Sequence, residues 1–92
     1  MSFKIIEPRK VKEFWFEWKG VDIEDEEFTE GGRVEVLNIK DNIYLLNITF
    51  LDNETELIIE ANEVNINIVK QILEQLCRKD ESCLEVVEVV ER

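Results

Sequence analysis

RVEVLNIKDNIYLLNITFLDNETELIIEA, residues 33–61, decides the fold. Three apolar runs are separated by two short polar ones, KDN at 40–42 and DNET at 52–55. Asn and Asp favour turns because their side chains hydrogen-bond to nearby backbone and tolerate positive φ. RVEVLNIK, IYLLNITFL and ELIIEA therefore read as the three strands of a β-meander. In the middle strand Tyr44, Leu46, Ile48 and Phe50 share one face, since strand side chains alternate with period two. The opposite face carries Ile43, Leu45, Asn47, Thr49 and Leu51 and is only half polar. In the first strand the apolar parity changes between Val36 and Leu37, the mark of a β-bulge.

Upstream, KVKEFWFEW alternates in the same way and predicts a strand over 11–19. Phe14, Phe16 and Trp18 line one face; Glu13, Trp15, Glu17 and Lys19 line the other. Before it, Phe3, Ile5 and Ile6 predict a short strand that Pro8 stops. Downstream, Ile68, Val69, Ile72, Leu73 and Leu76 recur at helical spacing. They predict a helix over about 64–78, with Asn62 or Asn65 as N-cap and Arg78-Lys79 suiting its C-terminal dipole. LEVVEVV, 84–90, is expected to be a final strand because four of its positions are β-branched, although the paired valines also fit a helix.

The expected order is β-β-β-β-β-α-β: one acidic α+β domain over residues 1–92, with a curved, mainly antiparallel sheet packed by one helix. Leu46, Ile48 and Phe50 should be buried with Ile72, Leu73 and Leu76. One helix covers one face only, so the apolar residues of the second face require a curled, barrel-like sheet, a partner protein or a homodimer through that face.

With 22 acids against 11 bases the net charge is −11. Nucleic-acid backbones and anionic membranes attract clustered Lys and Arg, so neither is an expected direct partner. A protein with a basic surface is favoured instead. No run approaches the roughly 18 apolar residues needed to span a bilayer, and the N-terminus has no signal-peptide pattern, so a cytoplasmic protein is expected. His is absent and Cys77 and Cys83 are the only cysteines, which excludes the usual zinc sets and His-dependent triads. No phosphate-binding glycine loop and no CxxC motif occurs, and none of the acids is marked for a raised pKa. The expectation is a non-enzymatic protein with no cofactor and no metal.

VDIEDEEFTEGG, residues 21–32, holds six acids and no base. As a calcium loop counted from Asp22 it fails, with Glu27 where Gly is needed and Arg33 where the bidentate Glu belongs. As a docking peptide, Val21 and Ile23 form an extended apolar pair, and Asp22, Glu24, Asp25, Glu26 and Glu27 supply the charge to meet a basic rim. In this it resembles the short motifs that bind ubiquitin-like modifiers. As an imitation of phosphates it would fill a nucleic-acid channel. As a plain solvated loop it guards a sheet edge. In each reading residues 22–30 are exposed and mobile, because unpaired buried charge is costly. Gly31-Gly32 should end the stretch in a turn.

Trp15 stands between Glu13 and Glu17 on its face and reads as an interface anchor or as a ring packed under the acidic loop or the N-terminal strand. Cys77 and Cys83 bracket a turn short enough for a disulfide; reduced thiols are the intracellular alternative, and a Glu-, Lys- and Ile-rich thermophile would favour the bridge. The function expected is that of a small accessory or adaptor subunit docking on a larger intracellular assembly, such as one that processes nucleic acid. The alternative is a nucleic-acid-mimic inhibitor, for instance viral, of a nuclease or polymerase.

Overall fold

The computed structural model describes residues 2–3, 7–52 and 55–92. Its elements are β1 (Arg9–Val21), β2 (Glu27–Lys40), β3 (Ile43–Phe50), β4 (Thr55–Ala61), α1 (Ile66–Lys79) and β5 (Cys83–Glu91). The strands form one antiparallel sheet in the order β4-β3-β2-β1-β5. The first four strands are successive hairpins. The chain then leaves from one edge, crosses a single face as α1 and returns at the opposite edge as β5. The α+β class with one helix holds, and the sheet is open rather than a closed barrel. Among the described residues four strands precede the helix. Of the short strand expected around Phe3, Ile5 and Ile6, the two isoleucines lie outside the described residues, and Phe3 is exposed and in no strand.

One core lies between α1 and the inner face of the sheet. Phe14, Phe16 and Trp18 of β1 meet Val34 and Val36 of β2, Leu46, Ile48 and Phe50 of β3, Val89 of β5, and Val69, Leu73 and Cys77 of α1. The expected grouping of the β3 residues with Leu73 is present, with Ile72 and Leu76 packed at its margin. Edge-to-face contact at 5.5 Å joins the rings of Phe16 and Phe50, the arrangement that aromatic quadrupoles favour. The helix starts two residues later than the apolar pattern implies. Asn65 keeps extended backbone and its side-chain oxygen accepts from the Ile68 N–H at 3.0 Å, closing the N-terminus.

Gly31 and Gly32 do not form a turn, which corrects the reading of the acidic stretch. Both lie inside β2, paired with Glu17 and Phe16, and neither has positive φ. A Cβ on Gly32 would sit 2.1 Å from Cζ of Phe16, so glycine is needed there to let that ring lie against the strand. β2 therefore begins at Glu27, and the second half of the acidic stretch is strand. The irregularity expected at Val36/Leu37 falls nearby: Val11 is the extra residue in β1 opposite that pair, and the β2–β3 register shifts between Asn38 and Lys40.

β5 resolves its own ambiguity through bulges. Its register against β1 shifts between Glu17/Trp18 and Lys19/Gly20, which leaves Val87 and Leu84 as extra residues. Cys83, Val86 and Val89 then pack against the core despite spacing of three, the spacing that made this segment look helical. Cys77 and Cys83 are joined by a disulfide with Cα atoms 5.1 Å apart, fastening the last turn of α1 to the edge strand.

Two measurements check this packing. Gly32→Ala should lower unfolding free energy by about 1–3 kcal/mol, the usual cost of forcing volume into a packed core. Gly31→Ala, whose Cβ would meet nothing closer than 3.8 Å, should change stability by less than about 0.5 kcal/mol in the same urea titrations. Reductant should lower the melting temperature by removing a constraint worth about 2 kcal/mol, whereas the Cys77→Ser/Cys83→Ser double variant should melt at one temperature with or without it.

Candidate functional site

Because α1 crosses one face, the other face of the sheet carries no covering element among the described residues. On that face Trp15, in the strand next to the β5 edge, lies half-buried between its register partners, Arg33 of β2 and Val90 of β5. Its indole Nε1–H donates to Glu13 Oε2 at 2.9 Å, and the Arg92 guanidinium carbon stands 5.1 Å from the ring centroid, a cation–π arrangement. The ring thus packs on its strand neighbours. It is not under the acidic turn, which lies at the far end of β1, about 20 Å along the strand at 3.3 Å per residue.

The carboxylates on this face are not equivalent. Glu13 and Glu35 are opposite one another, but each has a cation: Lys10 Nζ at 2.8 Å from Glu13 and Arg33 at 3.1 Å from Glu35. The Lys10 hydrogen bond, then that of Trp15, holds the Glu13 carboxyl below the usual carboxylate range. Glu17 and Glu88 are also directly opposite, and neither makes an ion pair among the described residues. With Trp15, Gly31, Val90 and Arg92 they border a shallow depression of about 220 Å³. Two buried polar atoms of the same face, Arg33 Nε and Asn47 Oδ1, have no hydrogen-bond partner among the described residues.

The acidic stretch is elsewhere and has a definite shape. Val21 pairs with Glu27, and residues 22–26 close the β1–β2 hairpin. Asp22 Oδ1 accepts from the N–H groups of Glu24 at 2.8 Å and Glu26 at 2.9 Å, and Asp25 takes the positive φ of 59°. The Val21 N–H donates to Ser82 O at 2.7 Å, which ties the hairpin to the turn before β5. The extended docking segment expected over 21–27 is therefore a closed turn, with Ile23 fully exposed at its tip. Exposure of the whole 22–30 stretch is also corrected. Phe28 is half-buried, and Glu30 is buried with its carboxylate accepting from Trp18 Nε1 at 3.2 Å.

The fold thus brings Trp15 together with Glu17, Glu88, Val90 and Arg92, and leaves Asp22, Glu24, Asp25, Glu26 and Glu27 as a separate acidic tip. Glu88, Val90 and Arg92 had no signal in sequence, because β5 pairs with β1 across most of the chain. Among the described residues no group of three or more His, Cys, Asp or Glu is placed to hold a metal ion, and no helix is long and apolar enough to cross a membrane. No protein-family model, curated protein or solved structure matches this chain.

The Glu13 carboxyl should titrate by NMR with a midpoint below the usual carboxylate range. Lys10→Ala should raise it, and Trp15→Phe, which deletes the indole donor, should raise it less. Since the folded value is the lowered one, any stability Glu13 contributes is present at neutral pH and is lost as pH falls through that folded value.

Proposed function

We propose that this chain is a non-enzymatic, acidic protein–protein interaction domain: a cytoplasmic accessory or adaptor subunit that docks its open sheet face on a basic surface of a larger assembly. The observation that carries the reading is the Glu17–Glu88 pair beside Trp15. Like charges directly across two strands are destabilising, and neither member of this pair makes an ion pair among the described residues. A Lys or Arg side chain from a partner, entering the depression between them, would turn that repulsion into attraction, while Trp15 supplies apolar contact of the kind found at interface hot spots. A second copy of this chain would bring acids onto acids, so a basic partner is favoured over a homodimer. The acidic tip at 22–27 would steer the encounter from a distance. A bridged Cys77–Cys83 fits the cytoplasm of a thermophile, where intracellular disulfides persist, and the Glu-, Lys- and Ile-rich composition fits the same source.

The test is capture of partners through a photo-cross-linker placed at position 19, followed by surface kinetics on the purified partner. Glu17→Gln/Glu88→Gln should raise the stability of the free domain and weaken binding. Trp15→Ala should speed dissociation by about 30-fold, a hot-spot loss of about 2 kcal/mol. Neutralising Asp25, Glu26 and Glu27 should slow association and flatten its salt dependence. Wild-type kinetics in all three variants would refute docking through this face. Displacement of the partner by duplex DNA would move the reading to the nucleic-acid mimic.

A further inference from the structure

The inner face holds one feature that folding does not account for. Glu30 points into the core side of the sheet with 8% of its surface exposed, and carboxylates are almost never buried this far without a cation. Its single hydrogen bond among the described residues comes from the neutral Trp18 indole, and it makes no ion pair there. It lines an open cavity of about 360 Å³ between the end of α1 and β3–β4. The rings of Trp18 and Phe50, 4.6 Å apart and tilted by 38°, form one wall, with Leu57 and Leu76 also bordering the space. Lys79 and Asp80 line the same cavity, and Lys79 forms no ion pair with the carboxylate.

We propose that this cavity binds an alkylammonium group. A buried carboxylate supplies the counter-charge, the Trp18 and Phe50 rings border the space a cation would occupy, and the two leucines cover an aliphatic stem. An anion would meet Glu30 and Asp80, and a purely apolar ligand would leave the carboxylate stranded. The group can arrive as a lysine side chain of a protein or as a free polyamine. The site lies on the opposite face of the sheet from Trp15, so it stands or falls separately from docking through the open face.

The intact domain would be titrated with N-acetyl-lysine methylamide, its trimethylated form and spermidine, following the Trp18 indole N–H by NMR. Saturable shifts at Trp18, with NOEs from the ligand methylenes to the Trp18 and Phe50 rings, are expected; a preference for the lysine derivatives or for spermidine identifies the source. Glu30→Gln, which can still accept from Trp18, should weaken binding by about tenfold or more, while Trp15→Ala should leave it unchanged. Lys79→Ala should tighten it by removing a competing ammonium. If Glu30→Gln fails to fold, the NOEs in the wild-type protein decide alone. No shift in wild type and Lys79→Ala, equal binding by Glu30→Gln, or absent ring NOEs would overturn the proposal.

Discussion

A single helix must serve a five-stranded sheet, and the rest of the molecule follows from that. Five strands about 4.8 Å apart make a sheet about 19 Å wide. The 14 residues of α1 span about 21 Å, and Val69, Leu73 and Cys77 pack this helix on one face of the sheet. The inner face can then be apolar apart from Glu30, and Phe14, Val34, Val36, Leu46, Ile48, Val69 and Leu73 are almost completely buried. Among the described residues the outer face has no such cover, and its composition answers accordingly: acids, a few bases, and scattered apolar side chains around Trp15.

Holding that arrangement together takes local departures from regularity. β1 pairs on both sides and carries three large aromatics inward, so its neighbours must make room. Gly32 does so by having no side chain where the Phe16 ring lies. β5 does so by bulging twice, which turns a spacing of three into an inward-facing row. The disulfide then fixes the junction where α1 gives way to this edge strand, the place where an unconstrained helix end and an irregular edge would most readily separate.

The glutamates show how far environment governs one residue type. Glu13 is held by a lysine and an indole, and its carboxyl is lowered accordingly. Glu17 faces another carboxylate, and neither makes an ion pair among the described residues. Glu30 is buried against aromatic rings with one neutral donor. In a chain of net charge −11 such differences, more than the total, separate solubilising charge from charge with a task.

Much of the fold was legible because its signals are local. Period-two alternation in 11–19 and 33–61 and period 3.6 in the helix depend only on which residues neighbour each other along the chain. Asn65 could be read as a cap for the same reason. Hydrogen bonds within the hairpin turned 22–26 into a closed tip, and the Gly pair was misread because its reason is a ring 16 residues away in sequence. The bulges of β5 depend on its register against β1. The candidate site was half legible: Trp15 stood out between two glutamates, whereas Glu88, Val90 and Arg92 reach it only when the crossover through α1 returns the chain to the far edge. Glu30 was counted with the solvated acids and lies in the core side instead. Local pattern determined which segments are strands and helix and which faces are apolar; only long-range pairing decided which charges meet, because electrostatic and packing partners are set by distance in space.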